Sequence, residues 1–165
     1  MKKRVYHDEL TGILNRAGFE EEAGKAFKAV SFRRTVLERR IGFQIPFSAI
    51  FIDLDDFKKI NDTRGHRAGN NALKAVAEVL RTHLRSSDMF ARWAGDEFAV
   101  VLVGADQNAA VKIAEKLRLE VQKINLKASF GVSSYDQQKS LDELIGNADT
   151  AMYKAKKGKD KVAVF

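Results

Sequence analysis

Acidic side chains occur at two places where the chain is expected to turn at the end of a strand. Asp53 lies near the end of an apolar run at residues 47–54, and Asp96 stands beside Glu97 between two strand-like segments. If those strands are neighbours, Asp53 and Asp96 meet, and paired carboxylates repel unless a cation or a proton separates them. Magnesium prefers such hard oxygen ligands, completed by water and phosphate oxygens. Taken alone, acids at strand ends and turn tips are more typical of solvated or capping residues, and a metal-assisted phosphoryl-transfer site is the alternative that the pattern allows.

The elements that must position these acids alternate between helix and strand. Apolar residues recur at three- and four-residue steps over 16–40, which predicts one long amphipathic helix or two in sequence, with Asn15 as a cap. The run 47–54 is typical of a strand buried on both faces, and 89–92 and 98–103 predict a hairpin. Further patterns predict helices at 70–83, 106–121 and 141–156, a strand at 128–133 and an edge strand at 162–165. Helices packed on one mixed sheet are expected.

Length and composition indicate one domain over residues 1–165, of which 45% are hydrophobic and 31% charged. The absence of cysteine excludes disulfides, thiolate catalysis and cysteine-based zinc sites, and the three histidines show no metal-ligand spacing. No apolar run approaches the roughly 18 residues of a membrane span, and the N-terminus lacks a signal-peptide core. A cytoplasmic location without a membrane segment is therefore expected.

The formal charge of +7 indicates an anionic partner, although basic clusters at 33–40 and 154–161 also fit solvated helix faces. Stacking platforms for nucleic acids need aromatic residues among the basic ones, and the sequence does not interleave them. We therefore expect no nucleic-acid partner.

Several motifs, read together and in order, carry a specific resemblance to a known family. They are DELTGILNR at 8–16, FIDLDDFKKIND at 51–62, GH at 65–66, RWAGDEF at 92–98, SFGV at 129–132 and ADTAMYKAK at 148–156. Along nearly its whole length the chain resembles the GGDEF family of diguanylate cyclases. The resemblance implies an α/β (α+β) fold with a mostly antiparallel five-stranded sheet, similar to the nucleotidyl cyclase and polymerase-palm fold. It also implies the condensation of two GTP molecules into cyclic di-GMP.

The resemblance assigns the metal and the catalytic acids. Asp53 and Asp96 hold Mg²⁺, or Mn²⁺ in its place, together with the backbone carbonyl of Leu54. Asp96 also helps to activate the attacking 3′-hydroxyl, with Glu97 as the adjoining acid and Lys58 as a catalytic cation. Synthesis in the family requires an antiparallel homodimer, because each domain carries half of a two-nucleotide reaction.

The resemblance also implies a set of substrate-binding residues: Asp56, Phe57, Lys58, Asn61, Asn70, Ala94, Gly95, Lys156 and Lys159. The amides of Asp56 and Phe57 and the lysines meet the phosphates, on which lysines act as point charges. Asn61 and Asn70 read the base. Upstream, Arg85 and Asp88 match the family's RxxD site for product inhibition, although a surface ion pair is the simpler reading of that pattern.

The chain departs from the family pattern at four places. Ala94 replaces the first signature glycine, which either costs backbone strain at positive φ or only narrows the phosphate cradle. Asn70 stands where Asp is usual, and Lys159 stands where Arg is usual in a basic segment one residue shorter. The segment 31–42 is longer than usual, with no functional reason visible in the sequence.

Two main interpretations remain open. The first is a diguanylate cyclase, expected to be the C-terminal catalytic part of a longer signalling protein, because the chain starts at the family's first motif. Whether that longer protein is membrane-anchored is left open. The second is a degenerate domain that binds GTP or cyclic di-GMP without catalysis. A cyclase with relaxed purine selectivity, permitted by Asn70, is a third.

Overall fold

The computed structural model describes residues 5–41, 45–136 and 140–165, and gives the backbone alone for 33–41. The basic cluster at 33–40 and most of the longer segment at 31–42 therefore lie outside the described side chains.

The centre of the fold is one mixed sheet of six strands in the order β1-β3-β4-β2-β5-β6. The strands are β1 Leu14–Asn15, β2 Phe47–Leu54, β3 Met89–Ala94, β4 Glu97–Val103, β5 Ala128–Ser134 and β6 Val162–Val164. The β1–β3 and β5–β6 pairs are parallel and the other three are antiparallel. The expected mostly antiparallel sheet is confirmed, but the expected number of five strands is wrong. The additional strand, β1, has only two residues and is too short to show a hydrophobic period.

Five helices cover the sheet in the described part of the chain. They are α1 Arg16–Ile41, α2 Phe57–Arg64, α3 His66–His83, α4 Gln107–Lys123 and α5 Leu141–Lys156. The predicted Asn15 cap is confirmed, since its Oδ1 accepts a hydrogen bond from the Gly18 amide at 2.9 Å. The sequence patterns did not predict α2, an eight-residue helix in which no residue is buried. None of the described helices is both long and apolar enough to cross a membrane.

Strand β2 is buried along its whole length, as predicted. Alternate residues point to opposite faces of a strand. Ile50 and Ile52 pack in the core formed with α3 and α4, whereas Ala49 and Phe51 pack in the core formed with α1 and α5. Asp53 follows Phe51 by two positions and therefore lies on the α5 side of the sheet.

Helix α5 approaches strand β5 closely at Gly131. A Cβ atom at this position would lie 2.0 Å from the Ala148 carbonyl oxygen and 2.1 Å from the Met152 nitrogen. Only a residue without a side chain allows this contact, because both neighbours are backbone atoms of α5. The glycine thus fixes the height of α5 above the sheet, and with it the position of the helix's last residue, Lys156.

Candidate functional site

Asp53 lies at the end of the central strand and is 7% exposed. Strand pairing sets it opposite Glu97 of β4 on one side and Ser129 of β5 on the other. The ammonium group of Lys156 donates a hydrogen bond to Asp53 Oδ1. A buried strand end and the end of α5 therefore bring a carboxylate and a lysine together.

Asp96 lies in the tight turn between β3 and β4, beside the end of β2. Its carbonyl oxygen accepts a hydrogen bond from the Leu54 amide at 3.3 Å, so the hairpin tip and the strand end are joined. Glu97 begins β4 and is partly buried. The structure thus brings Leu54, Glu97 and Lys156 close to Asp53 and Asp96, the two acids that the sequence patterns predicted to meet if their strands are neighbours.

The electrostatics of this group favour an added cation. Burial raises the pKa of the Asp53 carboxyl, and the charge of Asp96 contributes to the rise, against a lowering by the Lys156 hydrogen bond. Burial also raises the pKa of Glu97, followed by the charge of Asp53. Carboxylates that repel one another in a partly buried place are stabilised by a cation between them.

The donor set fits magnesium rather than a metal held by protein side chains alone. Within the described ranges, no three His, Asp or Glu side chains converge to hold a metal ion. A metal here would rest on the Asp53 and Asp96 carboxylates and the Leu54 carbonyl. Magnesium accepts such a partial set because it retains waters and binds substrate phosphates.

An ion pair between the N-terminal segment and β3 holds the hairpin tip. Arg92 Nη1 donates to both carboxylate oxygens of Asp8, at 3.3 and 3.1 Å, while Arg92 Nε donates to the Gly95 carbonyl at 2.8 Å. Burial would raise the pKa of Asp8, but hydrogen bonds from Thr11 and the charge of Arg92 hold it below its usual value. Sequence reasoning gave these residues no role, although both stand in the quoted motifs.

Trp93 anchors the same hairpin to the body of the domain. Its ring makes edge contacts with Phe19 of α1 and Phe51 of β2, at centroid distances of 6.0 and 5.7 Å. The Arg16 guanidinium lies 4.3 Å from the Trp93 ring centroid. The pairing of β3 with β4 shifts its register between Arg92 and Ala94. This irregularity therefore coincides with the packed ring of Trp93.

Ala94 ends β3 and is exposed. Outside glycine, positive φ angles among the described residues are confined to Asp56, Asn125, Lys159 and Asp160. Ala94 therefore has an ordinary backbone conformation, and the strain considered for this position does not arise. The positive φ at the tip belongs to Gly95, at 49°.

The acids that follow Asp53 hold the segment after α5. Asp55 is 4% exposed and accepts hydrogen bonds from Ser129 Oγ at 2.8 Å and from the Asp160 amide at 2.7 Å. Asp56 precedes α2 and accepts two hydrogen bonds from Lys159 Nζ, at 2.7 and 2.8 Å. This contact lowers the Asp56 pKa. Lys159 lies on a protein carboxylate and must leave it in order to reach a phosphate.

The residues assigned to phosphates and base lie on two helices. Phe57 and Lys58 form the first turn of α2, and the side chain of the capping residue Asp56 accepts no hydrogen bond from the amides of that helix. Asn61 of α2 lies against Gly69 of α3, where a Cβ atom would stand 1.9 Å from Asn61 Oδ1. The next residue along α3, Asn70, is exposed.

The proposed inhibitory pair lies in the turn between α3 and β3. Asp88 Oδ2 accepts a hydrogen bond from the Arg85 backbone amide at 2.8 Å, and the Asp88 amide donates to the Arg85 carbonyl at 3.0 Å. Asp88 also lines a cavity of about 500 Å³. Arg85 thus takes part in this turn through its backbone amide and carbonyl, and its exposed side chain makes neither of the two hydrogen bonds.

Two lysines lie beside aromatic rings near the end of α5. Lys154 Nζ lies 5.8 Å from the Phe165 ring centroid, and Lys157 Nζ lies 5.8 Å from that of Tyr153. Lys157 and Tyr153 are four residues apart, and Lys154 meets Phe165 at the end of the chain, so neither pair is adjacent in the sequence. The expected absence of a nucleic-acid partner stays a prediction.

Comparison with known proteins identifies relatives of this arrangement. The family model described as "Diguanylate cyclase, GGDEF domain" matches residues 5–161. Diguanylate cyclase DosC of Escherichia coli K12 is 35% identical over 176 aligned positions, covering 99% of this chain and 36% of DosC. The chain thus spans little more than a third of the length of such curated relatives.

Solved structures agree with the fold. The GGDEF domain of TpbB (YfiN) from Pseudomonas aeruginosa superposes with a TM-score of 0.83 at 32% identity, over 96% of this chain and 93% of that one. A microbial GGDEF domain described in its interaction with cyclic di-GMP gives a TM-score of 0.81 at 30% identity, over 99% of both chains.

Proposed function

Because the chain belongs to the GGDEF domain family, we propose that it is a diguanylate cyclase that condenses two GTP molecules into cyclic di-GMP. The observation that carries this proposal is the meeting of Asp53, Asp96 and Lys156 at the end of β2. Two hard carboxylates and a lysine are the groups that bind a magnesium nucleotide.

In this proposal Asp53, Asp96 and the Leu54 carbonyl hold the metal. Magnesium, or manganese in its place, would neutralise charge on the phosphate oxygens. The triphosphate lies against the start of α2, where the amides of Asp56 and Phe57 and the Lys58 side chain face it. From the opposite side Lys156, Lys159 and the tip residues Ala94 and Gly95 border the phosphates.

Asp96 accepts the proton of the attacking 3′-hydroxyl, and the hydroxyl oxygen bonds to the α-phosphorus of a second GTP. The bond to pyrophosphate breaks, so two GTP give one cyclic di-GMP and two pyrophosphates. Glu97 adds negative charge beside Asp96, and Lys58 stabilises charge on the phosphates. Because one domain holds one nucleotide, the reaction needs an antiparallel homodimer that aims each 3′-hydroxyl at the partner's α-phosphate.

Base selection falls to Asn61 and Asn70. An amide offers one acceptor and one donor group, so Asn70 can pair with either purine depending on which way it is turned. Asn61 is restrained because Gly69 leaves just enough room for it. Selectivity for guanine is therefore expected to rest on Asn61 and to be weaker than with an Asp at position 70.

Concentrated protein incubated with GTP and Mg²⁺, with the products resolved by mass spectrometry, tests the reaction. We expect cyclic di-GMP at a rate that rises more steeply than protein concentration, since a dimer is the active form. GTP binding without product would favour the catalytically silent binding module. Mixed cyclic dinucleotides from GTP and ATP would favour relaxed purine selectivity.

Arg85 and Asp88 are proposed to bind the product and inhibit the enzyme, with the Asp88 turn presenting the Arg85 guanidinium. Arg85→Ala should weaken cyclic di-GMP binding and relieve inhibition without lowering the initial rate, because the residue lies apart from the substrate cleft. If calorimetry gives equal cyclic di-GMP affinity for variant and parent, Arg85 does not bind the product and is an ordinary surface side chain.

A further inference from the structure

The basic segment, defined here as residues 156–160, is fixed at three points to the end of β2. Lys156 donates to Asp53, Lys159 to Asp56, and the Asp160 amide to Asp55 Oδ2 at 2.7 Å. Of these three acids, Asp53 and Asp55 are buried and Asp56 is exposed. The position of Lys159, which must leave Asp56 to reach a phosphate, therefore depends on how the backbone of this segment is held.

That backbone has an unfavourable conformation. Lys159 and Asp160 have φ angles of 51° and 48°, in the left-handed region that non-glycine residues rarely adopt. Two such residues in succession persist only where surrounding contacts hold them. Asp tolerates this region better than Lys because its short polar side chain can hydrogen-bond locally.

The contacts that hold the segment come from helix α4. Arg118 Nη1 donates to Asp160 Oδ1 at 3.2 Å, and Gln122 Nε2 donates to Asp160 Oδ2. The Arg118 and Asp160 side chains are 17% and 16% exposed, whereas those of Lys159 and Asp56 are 54% and 51% exposed. Solvent screens the shielded pair less, so it is the stronger restraint on the segment.

Resting on the proposed function, we propose that Arg118 and Asp160 are positioning residues for the triphosphate. Arg118 fixes the Asp160 carboxylate, and the hydrogen bond from the Asp160 amide to Asp55 holds the left-handed turn. This turn sets where Lys159 stands beside Asp56. Helix α4 thereby sets the geometry of Lys159, although it lies outside the proposed substrate site.

Arg118 offers a matched control because it also donates to Glu115 Oε2 at 2.8 Å. Glu115→Gln removes one acid from Arg118 without touching the basic segment, whereas Arg118→Gln removes the bond to Asp160. Arg118→Lys keeps the charge but not the fork of donors. Asp160→Asn retains tolerance of the left-handed region and removes the charge.

Calorimetry with 3′-deoxy-GTP and Mg²⁺ measures triphosphate binding without turnover. We expect Arg118→Gln and Asp160→Asn to weaken binding about fivefold to tenfold and to raise the KM for GTP with little change in kcat, as for lost ground-state contacts. Arg118→Lys should recover part of the affinity, and Glu115→Gln should match the parent. Equal affinity in the parent and Arg118→Gln, or equal losses in Arg118→Gln and Glu115→Gln, overturns the proposal.

Amide hydrogen exchange gives a readout that needs no nucleotide. The Asp160 amide should lose protection about tenfold in Arg118→Gln and keep it in Glu115→Gln, since its bond to Asp55 depends on the turn. Unchanged protection overturns the proposal even if affinity falls. A parent that binds 3′-deoxy-GTP but makes no cyclic di-GMP contradicts the proposed synthesis alone, and the positioning role is then judged on affinity and exchange.

Discussion

The two ends of the proposed site are built in different ways. At the metal end, Asp53 is buried at the end of the central strand and its partner Lys156 is set by the packing of α5 at Gly131. At the base end, Asn70 stands exposed on α3 and only Asn61 is restrained by a neighbour. Packing thus determines the geometry of one end, and side-chain identity determines the chemistry of the other.

Exposure explains where the chain departs from the GGDEF pattern. Ala94, Asn70 and Lys159 are all exposed, whereas the matching acid Asp53 is buried. A change at an exposed position costs little stability, while a change at a packed one disturbs its neighbours. We therefore expect the departures to tune substrate recognition and to leave the metal end intact.

The largest effect is expected at the packing contact of the metal end. Gly131→Ala places a methyl group on the backbone of α5, so it should lower the free energy of unfolding by about 3 kcal/mol or more and reduce GTP turnover. Gly146→Ala is the matched control, since Gly146 lies on α5 itself and a Cβ atom there would meet nothing within 4 Å. Urea unfolding that shows equal stability in both variants would contradict the close contact.

At the base end, a single side chain should change selectivity without changing stability. A carboxylate accepts from guanine N1–H and the exocyclic amine together, so Asn70→Asp should sharpen the preference for GTP over ATP by about 1–3 kcal/mol. Competitive binding with Mg²⁺ present measures this, and Asn71→Asp carries the same charge change on the neighbouring residue. Strong and equal GTP preference in parent and Asn70→Asp would mean that Asn61 and pocket shape choose the base.

The ion pair behind the hairpin tip predicts a pH dependence of stability. The pKa of Asp8 is lowered in the fold, so its contribution is complete above the unfolded value of about 3.9 and is lost as pH falls through the folded value. Asp8→Asn should cost about 1–2 kcal/mol at neutral pH, and the difference from the parent should shrink as the pH falls below the unfolded value of about 3.9. Glu9→Gln serves as the exposed control. A difference that is constant with pH would exclude the charge of Asp8 as its cause.

The smallest effect is expected at Ala94. Because its φ is not positive, replacement by glycine relieves no strain and should lower the free energy of unfolding by at most about 1 kcal/mol. Thermal unfolding and GTP affinity of Ala94→Gly check this. A clearly stabilised variant would show that the alanine is strained after all.

Much of this fold could be predicted from hydrophobic periodicity, and the exceptions have physical reasons. The apolar run of β2 and the amphipathic α5 were evident in the sequence. Helix α2 was missed because it has only eight residues, none of them buried, and β1 because two residues show no period. A helical period is detected over windows of about 11–18 residues, so shorter elements escape it.

The candidate site was likewise predicted in part from the sequence. Asp53 and Asp96 were predicted to meet because strand ends and hairpin tips can be located from sequence. The Arg118–Asp160 pair was not, since it joins residues that are far apart in the chain and stand in no repeating pattern. Long-range ion pairs of this kind depend on the packing of α4 beside the end of the sheet, which no local signal encodes.

The most direct test of the account is the magnesium dependence of GTP binding in Asp96→Asn and Asp53→Asn, with the exposed Asp62→Asn as a charge-matched control. Losing one carboxylate of the metal pair should weaken Mg²⁺-dependent GTP binding at least about tenfold in the first two variants, with circular dichroism unchanged. Asp62→Asn should bind as the parent does. An Asp96→Asn protein that keeps the parent's Mg²⁺-dependent GTP affinity would contradict the assignment of the site.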